Sequence, residues 1–350
     1  MILMDEFQKT EARNYLTAGG LLLAGLLCLT ALLSGDKMFN AAAVSMPCAI
    51  GGGVLIVAGV ILLTLQKRDL AGISFIILGA SHFMTLFNTE ETYMALSIVR
   101  AFVLVWGIIL LFSKDKQKWI FAALSILLGL FFLARPYSAD VPSLAVVVMV
   151  SFILSAVIAI YFALAAGFER INLPGRRLIT ADETTDFKQS GSALGYVLFA
   201  AHALAWALTY VAGGFGVFST DGMHSIEGAI GVLLIFIGIL LFVIGNMRFT
   251  PVMFILTGAV TFIDCFSTGF VLYVFGAFFI LLGLFAILRK ESRILPGVML
   301  IVYGGAFFTS ISVSGIAEVP VLSIIFNLIP ALIALYLATA TLSQRKIPLF

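Results

Sequence analysis

From Val54 to Phe83 the chain runs VLIVAGVILLTLQKRDLAGISFIILGASHF. Two apolar runs flank a very short polar turn, Gln66-Lys67-Arg68-Asp69, which is the pattern of a helical hairpin. Gly59 stands in the first run and Phe75, Gly79 and Ala80 in the second. The same pattern returns 179 residues later as Gly238, Phe254, Gly258 and Ala259, around the turn Asn246-Met247-Arg248. The echo extends outward. Ala101, Phe102 and Gly107 return as Ala277, Phe278 and Gly283, and Ala139-Asp140-Val141-Pro142 returns as Ala317-Glu318-Val319-Pro320. Motifs that recur in one order at near-constant spacing predict a tandem duplication.

The 350 residues are 62% hydrophobic and only 11% charged, with a mean hydropathy of +1.15. Soluble domains carry about a quarter charged residues, so this composition points to a polytopic membrane protein. Apolar runs of about 20 residues match the roughly 30 Å hydrocarbon layer at 1.5 Å per residue and are too long for barrel strands. They predict an all-α protein with twelve transmembrane helices, centred near residues 25, 53, 78, 103, 127, 154, 204, 236, 258, 278, 303 and 331. Residues 1–167 form the first six-span repeat, 168–190 a hydrophilic linker, and 191–350 the second repeat. Six is an even number, so the two repeats enter the membrane in parallel orientation. The acidic opening segment and the absence of a cleavage site predict a cytoplasmic tail rather than a signal peptide.

Charge orients the chain. Of 20 Lys and Arg, 17 fall in the tails and the even-numbered loops, Lys37 and Arg135 in odd-numbered loops, and Arg100 within a span. Both termini are therefore expected on the cytoplasmic side of an inner or plasma membrane. The other face is acidic, with Asp36, Glu90, Glu91, Asp140, Asp221, Glu227 and Glu318. Anionic membrane lipid explains the basic side, and no nucleic-acid partner is implied. Cys28, Cys48 and Cys265 fall in spans without metal-ligand spacing.

Ionisable residues inside spans are the first functional candidates, because an ionised group there costs several kcal/mol unless paired or wetted. Arg100 lies about 10 Å below the outer boundary by helical rise. Its guanidinium suits capture of a carboxylate; the alternatives are a snorkel to the outer interface or an ion pair with Glu90, Glu91 or Asp264. Asp264 and His82 are candidates for proton coupling, since a histidine titrates near neutral pH. Thr85 aligns with Asp264 across the repeat and is placed in the pathway with Arg100. Asp140 and Glu318, both in Ala-acid-Val-Pro, are expected to cap the sixth and twelfth spans or to line the outer mouth. Gly51-Gly52-Gly53 in the second span suggests close packing, a local break or a wet lumen. Walker, His-Glu-x-x-His and Gly-x-Ser-x-Gly motifs are absent, so neither an enzyme nor a metal site or cofactor is expected.

With these features in order, the six-span unit resembles the acetate uptake transporter family, the succinate-acetate permeases. The resemblance rests on the glycine-rich second span with Lys67-Arg68, Phe75 before Gly79, Trp106-Gly107, Ala159-Ile160-Tyr161-Phe162-Ala163 and Pro174. In the second half it rests on Phe254, Gly258, Gly283 and Ala334-Leu335-Tyr336-Leu337-Ala338. The family's Asn-Pro-Ala-Pro signature is missing, Asn14 being followed by Tyr15 and Leu16. Leu78 and Thr257 stand where the family narrows its pore with a tyrosine. The resemblance implies transport of a small monocarboxylate such as acetate with a proton, constrictions at Leu78 and Thr257, and a ring of six units, hence three of these fused chains. The Gly53 to Gly59 spacing also resembles small six-span acid-resistance membrane proteins, which implies a protective role without transport. Transport of an uncharged solute is a third expectation.

Overall fold

The computed structural model describes residues 6–33, 41–87, 97, 100, 102–138, 141–167, 173–180, 186–211, 220–245, 247, 249–264, 271–288, 294–309 and 320–343. Among them the secondary structure is helical throughout. The helices are α1 (Glu6–Leu33), α2 (Ala41–Thr64), α3 (Asp69–Phe83), α4 (Phe102–Leu110), α5 (Lys118–Ala134), α6 (Pro142–Gly167), α7 (Arg176–Ile179), α8 (Phe187–Val211), α9 (Thr220–Val243), α10 (Phe249–Asp264), α11 (Val271–Leu288), α12 (Ile294–Thr309) and α13 (Pro320–Leu342). Two 3₁₀ turns, Met84–Phe87 and Arg135–Tyr137, follow α3 and α5.

Among the described residues four segments are long and apolar enough to cross a membrane: Met46–Thr64, Lys118–Tyr137, Pro142–Gly167 and Val321–Leu342. Six shorter apolar helices accompany them. The 16 residues of α10 rise about 24 Å, less than the roughly 30 Å of a hydrocarbon core. The third span, expected around residue 78, is α-helical only to Phe83, where the chain tightens into 3₁₀ geometry. The first helix starts at Glu6, within the segment expected as a tail, because its opening Glu-Phe-Gln-Lys-Thr-Glu stretch is made of adequate helix formers.

The chain divides into two compact units, one of residues 1–88 and 100–190 and the other of residues 89–99 and 191–350. In the first, α2 packs along α3, α4 along α5, and α6 lies against both α1 and α5. In the second, α9 packs along α10, α11 along α12, and α12 along α13. The hairpin α2–α3 turns through Lys67, whose φ of 52° is left-handed. It closes at Gly52 and Gly79, where a methyl added to either would come about 2.5 Å from the other's carbonyl oxygen. The glycine triplet thus serves packing, within an unbroken α2, as small residues do between membrane helices. Gly231 and Gly258 make the same approach between α9 and α10. Backbone contact of this kind substitutes dispersion between main chains for side-chain interdigitation.

Candidate functional site

Four helices of the first unit converge on a narrow cavity. Ala24 and Cys28 come from α1, Leu78 and His82 from α3, Leu124 and Leu128 from α5, and Ser155 and Ala159 from α6. One helical turn separates the members of each pair, so each helix turns a single stripe inward. The space is about 10 Å³, on the scale of one buried water molecule. Its wall is mostly apolar, with the His82 ring, the Cys28 thiol and the Ser155 hydroxyl as polar groups. The Ser155 hydroxyl donates to the Ser151 carbonyl at 2.7 Å and is committed to its own helix.

Two residues singled out from sequence, Leu78 and His82, therefore meet at one place. His82 is buried, and its ring meets Phe132 edge-on with centroids 6.3 Å apart. Arg100 approaches the same ring, its guanidinium carbon 5.5 Å from the Phe132 centroid. At 3% exposure Arg100 is held within the protein rather than reaching to an interface. A guanidinium on an aromatic face is a favourable pairing, stronger where water is excluded. Phe132 links Arg100 to the cavity through His82. Thr85 sits in the 3₁₀ turn just beyond, its hydroxyl donating to the His82 carbonyl at 2.7 Å. Ser81 donates likewise to the Leu78 carbonyl. Both hydroxyls brace the end of α3.

In the second unit Thr257 is fully buried on α10, and its hydroxyl has no hydrogen-bond partner among the described residues. The side chain of Asp264, and Asp140, Glu318, Glu90 and Glu91 altogether, lie outside the described residues. Among the described residues no cluster of His, Cys, Asp or Glu could hold a metal ion.

Sequence reasoning missed a polar cluster at the ends of α2, α4 and α7. Arg68 is 5% exposed and donates to the Ile179 carbonyl at 2.9 Å and to Asn14 Oδ1 at 3.2 Å. The neighbouring Asp69 carboxylate accepts from the backbone amide of Phe187, with Asp186, Asp115 and Lys67 nearby. Burial raises its pKa to about 6, against the lowering effect of the Phe187 amide; Asp186 and Asp115 raise it further and Lys67 lowers it. Beside it, Ser113 and Asp115 hydrogen-bond each other, and Lys118 caps the Leu111 and Ser113 carbonyls at the end of α4. Through Arg68 the basic hairpin turn is also a clamp on the segment that follows α6.

The molecule is an all-helical protein with apolar helices able to cross a membrane, the build of a helical membrane protein. No protein-family model, curated protein or solved structure matches the chain.

Proposed function

We propose that this is a twelve-span transporter of the inner or plasma membrane, built from two parallel six-span repeats with both termini cytoplasmic. Its cargo is a small monocarboxylate such as acetate, moved with a proton. Support for the duplication comes from the matched close approaches of Gly52 to Gly79 and Gly231 to Gly258. The observation that carries the transport reading is the convergence of Leu78 and His82 on one cavity, with Arg100 joined to His82 across Phe132. A cation that attracts carboxylate, a titratable imidazole and a narrow apolar neck are the parts such a path needs. Thr85 and Thr257 belong to the pathways of the first and second repeats, and Asp264 shares proton handling with His82. Asp140 and Glu318 cap helices at the outer mouth. An acidic outer face lowers the local anion concentration, which favours a protonated or proton-coupled species over an open anion channel. Three chains would assemble in a ring of six units.

A second reading draws on the size of the cavity. Room for about one water is narrower than acetate, so a bundle that stays in this form is a sealed, non-transporting acid-stress protein. Labelled acetate uptake into proteoliposomes, with and without an inward proton gradient, separates the two. Accumulation that needs the gradient establishes coupled transport. Uptake no greater than in protein-free vesicles, with folded protein, leaves the protective role.

A further inference from the structure

The core of the second unit contains polar atoms that its packing leaves unanswered. His202 on α8 is 1% exposed, and neither ring nitrogen has a hydrogen-bond partner among the described residues. The Thr257 hydroxyl on α10 is in the same condition. A polar atom buried without a partner is costly, and native cores answer nearly all of them with protein, water or ligand. They share that state with the Ser323 hydroxyl on α13, and buried atoms of this kind mark places where a further hydrogen-bonding partner fits.

Their positions follow from the repeat. The ring of Phe75 lies over Gly20 in the first unit, and that of Phe254 lies over Gly195 in the second. Gly107 packs on Ala122 and Ile126, and Gly283 packs on Gly297 and Ile301. Carried across these matches, the cavity-lining Ala24, Leu78 and Leu128 correspond to Phe199, Thr257 and Tyr303. Contacts in the second unit join two of these positions, Tyr303 lying 4.9 Å from Phe199, and set His202, the counterpart of Leu27, 5.8 Å from Tyr303, ring centroid to centroid. Where the first unit has Leu78 and Leu128, the second carries the hydroxyl-bearing Thr257 and Tyr303, with the His202 ring beside Tyr303.

We propose that His202 and Thr257 form a binding site for an uncharged, hydrogen-bonding small solute, the undissociated form of a short-chain carboxylic acid. This rests on the transport reading above and specifies the form in which the second repeat takes its cargo. An uncharged imidazole offers one acceptor and one donor, and a threonine hydroxyl offers a donor. A protonated carboxyl presents one O–H and one carbonyl oxygen, which match the imidazole nitrogen and the threonine hydroxyl. A carboxylate would bring a full charge among rings that carry none, and burial of an uncompensated charge is strongly disfavoured. Among the described residues the ring that meets His202 is that of Tyr303 on α12, which in turn meets Phe199.

The full chain holds three histidines, His82, His202 and His224, so ¹⁵N-histidine labelling in lipid nanodiscs gives few signals, and His202→Gln assigns the one that matters. Sodium acetate is titrated at pH 4.5, where much of it is acetic acid, and at pH 7.5, where almost none is. The expected result is a saturable shift of the His202 nitrogens at the lower pH alone, weakened about tenfold by Thr257→Val. No shift at either pH, or equal shifts at both, overturns the site and leaves it to water or to an anion. Uptake measured on the same preparations keeps the two claims apart. Binding without wild-type uptake retains the site and ends the transport reading, whereas wild-type uptake untouched in His202→Gln and His202→Phe ends the site and retains transport.

Discussion

The ring of Phe75 fills the space that a side chain at Gly20 would need, and the ring of Phe254 does the same at Gly195. Each pair joins the first helix of its unit to the third. Both phenylalanines are fully buried, and Phe75 is further held edge-on by Phe121 at 5.8 Å, as Phe254 is by Tyr196 at 5.2 Å.

Gly20→Ala is therefore an overpacking change. The methyl meets a ring that has no free direction to move, and the expected loss is about 1–3 kcal/mol, read by unfolding in detergent. Gly195→Ala is expected to lose a similar amount. The double variant Gly20→Ala/Phe75→Leu recovers part of the loss, because a smaller side chain vacates the overlap. Undiminished stability in Gly20→Ala would show that α1 and α3 separate there at little cost.

Arg68→Ala removes a buried cation that donates to Ile179 and Asn14. Hydrogen bonds to charged groups contribute about 1.5–3 kcal/mol, and the two acceptors are left in a protected place. The expected loss of stability is about 2–3 kcal/mol, together with faster proteolysis between Gly167 and Ser190 as the clamp on that segment opens. Arg68→Lys recovers little, since one ammonium cannot reproduce two diverging donors of a guanidinium.

The glycine hairpins were legible because a period in the sequence is a direct imprint of backbone contact. Gly59, Gly79, Gly238 and Gly258 can be picked out without knowing what they touch. Leu78 was marked by the family resemblance and His82 by its titratable ring; their pairing was not drawn, although one helical turn places i and i+4 on one face. Arg68 was not. Its partner carbonyl belongs to Ile179, 111 residues away, and a backbone acceptor has no residue type to reveal it. His202 was legible as a polar residue in a span but not as an unanswered one, because satisfaction depends on three-dimensional neighbours. Phe132 was invisible for the opposite reason: among 32 phenylalanines, nothing marks the one lying between a histidine and an arginine.

Arg100 faces Phe132 across 5.5 Å in a site almost closed to solvent. On the transport reading, Arg100→Ala removes the carboxylate attractant and lowers acetate uptake tenfold or more, which corresponds to about 1.4 kcal/mol or more. Assembly, followed by size-exclusion chromatography, is expected to persist. Arg100→Lys keeps the charge but loses the planar face, and an intermediate rate is expected. Uptake unchanged in both variants would reduce Arg100 to a structural role on Phe132.

Asp69 makes stability depend on pH in a window that its surroundings set. Burial raises its folded-state pKa from 3.8 to about 6, with Asp186 and Asp115 adding to the rise and the Phe187 amide and Lys67 opposing it. Between these values the folded chain binds the proton more tightly than the unfolded chain. Stability from this group is therefore present below about pH 4 and falls as pH rises through about 6. Asp69 is half-buried, so solvent screening leaves an effect on the order of 1 kcal/mol. Unfolding measured in nanodiscs at pH 4.5 and pH 7.5 is expected to show the wild type losing stability at the higher pH. Asp69→Asn, which cannot ionise, is expected to flatten that difference. An Asp69→Asn variant that keeps the full wild-type slope would assign the pH dependence to other groups and leave the Phe187 amide as the main determinant of the Asp69 carboxylate.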